Sequence, residues 1–500
     1  MHFRIQLIAV MEDGTEHRED LADLIRSEAK IETMGLSLEE SKQILHSLQA
    51  TMVQHQVTAY LQKCQPCPHC QRNRELKQSE LSAFRTLFGV IPVPNPRWRQ
   101  CSCQEHKQKT FRPLASLLPE RTSPELLYLE TKWASLASYG ITATLLHEVL
   151  PIDKKHNAST VRNHLYRVAQ RQEKALGEEK VFFIDTCQAE RDELPIPDGP
   201  LAVGLDGGIV RARKGVLGAK SSNLFEVIAG KSILAFHRDD PEDTPPSQKR
   251  FALVQSYDKK SKRRLFDLLE SQGMQQNQQI TFFSDGGETV RRMQEYLSPE
   301  AEYILDWFHI TMRITVLQQC AKGLQKPKAK ANPKDKAVPE PEEHPLERRL
   351  ESVKHSLWHG NTQQALEELG ELIDELECWD LDEEGEPRSC PEAPKAAKML
   401  QYAEDLDTYI SNNIGYIVNY GERYRNGERI STGFVESTIN QVVSKRMVKK
   451  QQMQWTPKGA HLLLQVRTQV LNEDWDKTFR KWYPDFRPEK APIPAMPMAA

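Results

Sequence analysis

Two apolar runs that each end in Asp-Gly-Gly place the strongest constraint on how this chain folds. The first, Leu-Ala-Val-Gly-Leu, ends at Asp206, and the second, Ile-Thr-Phe-Phe-Ser, ends at Asp285. A buried strand holds a carboxylate rigidly, and two glycines allow a sharp turn and leave room for a phosphate backbone. A third apolar run, Tyr-Ile-Leu, ends at Asp306. The pattern predicts three carboxylates at strand ends, although Asp-Gly-Gly after a strand is also typical of an ordinary turn.

The segments between these runs indicate the rest of the sheet. Two alternating segments follow Asp206, a helical pattern follows at 261–270, and the runs that end at Asp285 and Asp306 alternate with helices. Three antiparallel strands, a helix and further strands alternating with helices are typical of an RNase H-like sheet. We therefore predict an α/β protein with an RNase H-like mixed-sheet catalytic core, whose first part spans 198–324.

Residues 325–428 interrupt that core. A linker rich in Pro, Lys and Glu comes first, and acidic helical patterns follow, with eleven acids and no Lys or Arg in residues 364–387. The core resumes over 429–475 with a helical pattern that carries Glu436. The sequence thus predicts an α-helical insertion ahead of Glu436. A glutamate on a helix is, taken alone, more typical of a solvated face.

Asp206, Asp285 and Glu436 form a set of hard oxygen ligands. Such ligands suit Mg²⁺, which prefers a few carboxylates together with water and substrate phosphate. Two ions about 3.5–4 Å apart activate the attacking oxygen and stabilise the leaving oxygen of a phosphoryl displacement. We expect catalytic Mg²⁺, or Mn²⁺, at these residues. The polar and basic residues that follow Glu436 are expected to hold DNA: Asn440, Lys445, Arg446, Lys449 and Lys450.

Five of the nine cysteines lie within residues 64–103. Two closely spaced pairs flank a segment typical of a β-hairpin, and such pairs close a tetrahedral Zn²⁺ site without an open position. The expected structural zinc ligands are Cys67, Cys70, Cys101 and Cys103. Free buried thiols are the alternative. Spare donors leave the ligand set open: Cys64, His69 and His106.

Three helical patterns over 122–175 resemble a helix-turn-helix. A break at Gly140 precedes a short helix, and Ser159 is a candidate N-cap for the last one. Polar residues in and just after its first turn lie where a recognition helix meets DNA. The expected DNA contacts are Arg162, Asn163 and Arg167. An ordinary helical hairpin is the alternative.

Charge is distributed unevenly along the chain. The formal net charge is −3, yet residues 61–115 hold ten basic residues against three acids, and residues 437–467 hold six basic residues and no acid. These basic segments favour nucleic acid as a partner.

We expect no membrane span and a cytoplasmic protein that associates with the nucleoid when bound to DNA. The predicted units are a helical arm (1–60), a zinc-ribbon-like unit (61–115), a helix-turn-helix-like domain (116–178), the core (198–324 and 429–475) with its insertion (325–428), and a tail (476–500).

The motifs together resemble the DDE transposases of bacterial insertion sequences, most closely the ISKra-type group, which is related to Mutator-like transposases. The resemblance rests on Leu-Asp-Gly-Gly at Asp206, Ser-Asp-Gly-Gly at Asp285, Asp-Trp-Phe-His at 306–309 and Gly-Phe-Val-Glu-Ser-Thr-Ile-Asn-Gln at Glu436. It implies that Asp206, Asp285 and Glu436 are the metal-binding triad. It also implies that His309 positions DNA near the active site. The alternative is a histidine with purely structural partners, and Asp306 is expected to orient His309 or the sheet.

The resemblance implies a transposase that binds the terminal inverted repeats of its element, cuts the ends and joins them to target DNA. Pairing two ends implies a dimer or a higher homo-oligomer on double-stranded DNA. A nuclease on the same fold would use the same carboxylates and stop after hydrolysis. A DNA-binding regulator would retain only the binding units. An enzyme with a Cys or Ser nucleophile has little support, because no G-x-S-x-G motif occurs.

Overall fold

The computed structural model describes most of the 500 residues. The described ranges are 1–11, 14–26, 30–103, 109–184, 187–197, 199–216, 223–234, 236–239, 247–287, 297, 301–324, 345–378, 393–448 and 453–486, without the side chain of Glu436. The chain divides into two compact units. The first comprises Met1–Gln172 and Glu473–Ala500, and the second comprises Glu173–Asn472.

The first unit opens with an antiparallel hairpin of β1 (His2–Val10) and β2 (Glu16–Ile25). A long helix, α1 (Leu38–Cys64), follows, and the Ser37 side chain caps it by accepting from the N–H of Glu40. The expected helical arm is therefore wrong for the two strands, and within residues 1–60 the long helix covers only 38–60. The first strand alternates between exposed and half-buried residues, which is the period of a strand.

A three-stranded antiparallel sheet follows α1. Its strands are β3 (Leu76–Thr86), β4 (Gly89–Arg99) and β5 (Thr110–Phe111), in that order. The hairpin expected between the two cysteine pairs is therefore present. The short helix α2 (Leu114–Leu117) lies next in the chain.

Three helices form the next part, as the sequence predicts: α3 (Pro124–Leu136), α4 (Tyr139–Val149) and α5 (Ala158–Ala175). Two details differ from the predictions. The break before α4 falls ahead of Gly140, because Ser138 caps that helix by accepting from the N–H of Ile141. The cap of α5 is Asn157, which accepts from the N–H of Ser159 at 2.9 Å. Ser159 therefore lies inside the helix.

The second unit is built on a five-stranded mixed sheet. After the short α6 (Gln188–Asp192) come β6 (Leu201–Arg211), β7 (Leu224–Ile233) and β8 (Gln248–Val254), then α7 (Ser261–Ser271), β9 (Ile280–Ser284) and β10 (Ala301–Leu305). The strand order is β8-β7-β6-β9-β10. β7 is antiparallel to both of its neighbours, β6 and β8, whereas β9 and β10 run parallel to β6.

Both faces of this sheet are covered. One apolar core contains Leu201, Val203 and Phe282 and packs against Leu265 and Leu269 of α7. The opposite core contains Ala202 and Phe283 and extends into the helices that follow β10. Strands covered on both sides are rich in apolar residues, which explains the unbroken apolar runs of the sequence.

Helices complete the second unit. These are α8 (Trp307–Leu324), α9 (Pro345–Trp358), α10 (Thr362–Glu377), α11 (Ala393–Asn412), α12 (Tyr420–Arg425), α13 (Gly433–Ile439), a π-helical segment (Asn440–Val448) and α14 (Pro457–Leu471). A last helix, α15 (Trp475–Trp482), belongs to the first unit.

The predicted insertion is mainly helical where it is described. Its helices share one apolar core with α8 and the sheet, since Leu350, Leu369 and Ile410 pack in the same cluster as Ile314 and Phe283. The predicted linker falls on residues 325–344, which lie outside the described residues. The insertion is thus anchored to the sheet that carries the candidate carboxylates.

Candidate active site

Asp206 and Asp285 lie on neighbouring strands. The parallel pairing of β6 with β9 ends at Gly204 opposite Phe283, so Asp206 comes two residues beyond it and Asp285 directly follows β9. Burial raises the pKa of Asp206, and the charges of Asp285 and Asp306 raise it further. The N–H of Gly207 and the charge of His309 lower it by less. A carboxylate with other acids close by favours a bound cation.

The first Asp-Gly-Gly is not a turn, contrary to the prediction that Asp206 ends a strand. β6 continues through Gly207 and Gly208 to Arg211, paired with β7 throughout. The second Asp-Gly-Gly is a true strand end. Gly286 has a φ of +85°, a conformation that glycine adopts without strain. The glycines of the two motifs therefore have different physical roles.

On β6, Gly204 allows close packing of α13, whereas Gly208 makes an ordinary contact with it. A Cβ on Gly204 would lie 2.0 Å from Cγ2 of Val435, and one on Gly208 would lie 3.6 Å from Cγ2 of Ile439. Alternate residues of a strand share a face, so α13 packs on the face that carries Asp206. Glu436 belongs to this helix, between the two contacting residues. Its side chain lies outside the described residues.

Asp306 is fully buried and surrounded by donors. It accepts from the N–H of Phe308 at 2.9 Å, the N–H of Thr432 at 3.0 Å, the hydroxyl of Thr432, and Nδ1 of His309 at 2.6 Å. The hydrogen bond from His309 raises the pKa of that histidine against the effect of burial, and the charges of Asp306, Asp285 and Asp206 add to the increase. His309 is therefore more readily protonated than a free histidine, and its hydrogen bond with Asp306 orients the ring.

Glu226 of β7 is a further acid that the sequence reasoning missed. Its Oε1 lies 2.7 Å from where a Cβ of Gly207 would be, so the missing side chain leaves space for this carboxylate. Burial and the charge of Asp285 raise the pKa of Glu226. Among the described residues it has no hydrogen-bond or ion-pair partner. A lone acid inside the apolar run Leu-Phe-Glu-Val-Ile was the signal that could have found it.

The insertion also reaches the turn that follows Asp285. A Cβ on Gly286 would lie 2.6 Å from Oδ1 of Asn413, which directly follows α11. Asn413 is 4% exposed, and its Nδ2 donates to the carbonyl of Tyr409 at 2.8 Å. Burial raises the pKa of Tyr409. The helical insertion therefore fixes the position of the Asp285 turn.

The polar and basic residues that follow Glu436 lie in different environments. Lys445 is exposed and Asn440 is half-buried. Arg446 has no exposed area, and its guanidinium lies 5.3 Å from the ring centre of Trp455. The prediction that Arg446 binds DNA is therefore wrong, because the side chain stacks in the interior. Lys449 and Lys450 lie outside the described residues.

The four predicted zinc ligands lie together. Sγ of Cys67 is 3.6 Å from Sγ of Cys103, Sγ of Cys70 is 3.4 Å from Sγ of Cys101, and all four sulfurs lie within 4.8 Å of one another. Sulfurs of a tetrahedral site with Zn–S bonds of about 2.3 Å are about 3.8 Å apart. This group could bind a structural metal such as zinc.

The thiol pKa values fit such a group. N–H groups of Cys70 and His69 lower the pKa of Cys67 to about 6, whereas Cys101 raises the pKa of Cys103 to about 12. Cys67 therefore ionises more readily than an ordinary thiol, and Cys103 less readily. Among the described donors, neither Cys64 nor His69 belongs to the cluster.

A second group of potential ligands, Glu173, Asp258 and His461, has a different explanation. The guanidinium of Arg264 lies among them, 3.0 Å from both Glu173 and Asp258. Burial would raise the pKa of Glu173, but the hydrogen bond from His461 and the charge of Arg264 lower it to about 2. The group is therefore a buried ion-pair network.

The predicted DNA contacts on α5 share its exposed side. Arg162, Asn163 and Arg167 are exposed, whereas Val161, His164 and Leu165 are buried. The helix is thus amphipathic, with the polar side chains available to a partner.

No protein-family model matches the sequence, and no curated protein shows detectable similarity to it. Across the described residues, no helix has the length and apolar character needed to cross a bilayer.

Proposed function

We propose that this protein is a DDE-type DNA transposase, which binds the terminal inverted repeats of an insertion sequence and catalyses metal-dependent strand cleavage and strand transfer. The observation that carries the proposal is the meeting of Asp206, Asp285 and α13, the helix of Glu436, at one place on a mixed sheet. The motifs that carry the resemblance to transposases lie at these same positions.

The strand order supports an RNase H-like core. Three antiparallel strands come first, and two strands parallel to the central one follow, with the order β8-β7-β6-β9-β10. Carboxylates on the central strand and at the end of its parallel neighbour then lie side by side. Adjacent carboxylates are suited to phosphoryl transfer. This favours a catalytic role for the acids over the alternatives of an ordinary turn at Asp-Gly-Gly and a solvated helix face at Glu436.

The donor set fits Mg²⁺ or Mn²⁺. Asp206 and Asp285 would hold the metal, and Glu436 would complete the set. When bound, such ions activate the attacking oxygen and stabilise the leaving one. The protein itself holds the carboxylates rigid through β6 and the packing of α13, and His309 offers a positive charge to the DNA backbone.

The first unit would supply DNA binding. The cysteine cluster would stabilise a small subdomain through zinc, and α5 presents Arg162, Asn163 and Arg167 on its exposed side. Contacts with phosphate would make the affinity fall steeply with salt. Two ends must be paired for transposition, so we propose a dimer or higher homo-oligomer on double-stranded DNA.

The test is an assay with Mg²⁺ on labelled DNA that carries the sequences flanking the gene. Wild type is compared with Asp285→Asn and with Asp267→Asn, which changes an exposed carboxylate on α7. Cleavage and joining by wild type and Asp267→Asn, but not by Asp285→Asn, would support the proposal. Cleavage without joining would indicate a nuclease, and binding without cleavage would indicate a regulator.

A further inference from the structure

The first unit contains a cleft that the proposed chemistry does not use. It has a volume of about 310 Å³ and lies between the end of β3, the loop before α5 and α5 itself. Six of its polar lining residues matter here: Arg85, Asp153, Lys155, His156, Asn163 and Arg167. The cleft lies wholly within Met1–Gln172.

The floor of the cleft holds polar atoms that lack partners. His156 and His164 are each 6% exposed, and both face Glu130, which has no exposed area. His164 is satisfied, since its Nδ1 lies 2.9 Å from Glu130. Nε2 of His156 lies 3.6 Å from the other carboxylate oxygen, and both of these atoms are buried without a hydrogen bond. These two atoms face each other, and of the two residues only His156 lines the cleft.

The rim of the cleft is positive. Arg85, Lys155 and Arg167 are exposed and carry three positive charges, against the single carboxylate of Asp153. Asn163 adds an amide. A surface of this charge repels a metal cation and attracts an anion with several acceptor oxygens. A guanidinium and an ammonium together match a phosphate group well.

We propose that this cleft binds a backbone phosphate of DNA, held at the rim by Arg167 and Lys155 and lying close to His156, which lines the cleft. The identity of the partner rests on the proposed DNA function. The inference adds that Arg167 and Asn163 contact the DNA backbone. Arg162, on the same helix, does not line the cleft.

The first experiment measures DNA affinity of the full chain by fluorescence anisotropy over a range of salt concentrations. Arg167→Ala and Lys155→Ala should each weaken binding about tenfold. Each should also reduce the slope of log affinity against log salt by roughly one. The loss should be the same for specific and random duplexes, since a phosphate carries no sequence information. Unchanged affinity and slope in both variants would overturn the inference.

The second experiment observes the histidine rings directly. Protein with ¹⁵N-labelled histidine is titrated with inorganic phosphate and with a short duplex, and His156→Gln identifies the relevant signal. Both additions should shift the His156 signal in wild type and in Arg18→Ala, an exposed residue of β2 that does not line the cleft. Neither should shift it in Arg167→Ala. A signal that responds to phosphate but not to duplex would overturn the assignment to DNA.

These outcomes are separate from the test of catalysis. A protein that binds DNA through the cleft but never cleaves it would leave this inference intact and contradict the transposase proposal. A protein that cleaves DNA while its His156 signal does not respond would support the transposase proposal and contradict this inference.

Discussion

Nδ1 of His309 lies 2.6 Å from a carboxylate oxygen of Asp306, which also accepts from the N–H and hydroxyl of Thr432. Asp306 directly follows β10, His309 lies in the first turn of α8, and Thr432 directly precedes α13. Through these hydrogen bonds, Asp306 connects the end of β10 with the first turn of α8 and with the start of α13, the helix that carries Glu436. This agrees with the expectation that Asp306 orients its neighbours.

Replacing His309 with alanine should destabilise the second unit. The change removes a charge-assisted donor from a fully buried carboxylate, at a cost of about 1–3 kcal/mol in the free energy of unfolding. The pKa of His309 is raised in the folded protein, so this stabilisation is complete below the ordinary histidine pKa and is lost as pH rises through the raised value. Urea unfolding at several pH values measures it. His355→Ala, on an exposed residue of α9, should cost little at any pH.

Glu436→Gln should abolish cleavage and leave DNA affinity close to that of wild type. The substitution keeps the shape of the side chain on α13 but removes a charged metal ligand. Cleavage is followed on labelled DNA with Mg²⁺, and binding is followed by anisotropy. A variant that still cuts at the wild-type rate would remove Glu436 from the triad.

Gly204→Ala tests the packing of α13 on β6. A methyl group at this position meets Cγ2 of Val435 at 2.0 Å, so the helix or the strand must shift, which costs about 1–3 kcal/mol. We expect lower stability together with slower cleavage, because α13 carries Glu436. Gly323→Ala is the matched control. It lies in α8 with open space around it and should be neutral or stabilising.

Removing the metal should unfold the cysteine unit. A strong chelator, or Cys67→Ser, should release about one zinc per chain and expose the subdomain around the hairpin of β3 and β4 to protease. Elemental analysis and limited proteolysis measure both effects. Cys378→Ser changes an exposed thiol outside the cluster and should retain the metal. Purified wild-type protein without zinc would contradict this expectation.

Acid should weaken the ion-pair network around Arg264. The pKa of Glu173 is lowered to about 2, so its contribution is complete above the ordinary glutamate pKa and is lost as pH falls toward 2. The shift corresponds to a contribution on the order of 3 kcal/mol at neutral pH. Glu173→Gln should lose this stability at pH 7 and show a flatter dependence between pH 5 and 2, as measured by thermal unfolding.

Local patterns predicted the elements around Asp206 and Asp285 because each depends only on neighbouring residues. Apolar runs of strand length indicated β6, β9 and β10, and the two cysteine pairs indicated the metal cluster from spacing alone. The resemblance to transposases, and with it the predicted function, rests on those same short motifs and is tested by the assays above.

Only the tertiary structure decides which side chains contact one another. Arg446 looks like a surface cation in sequence, but packing of the π-helical segment buries it over Trp455. Glu226 looks like one more residue of an apolar strand, but the register of β7 against β6 brings it over Gly207. Gly204 and Val435 are far apart in sequence and touch in the fold. Register and helix packing depend on contacts between distant segments, and no local pattern encodes them.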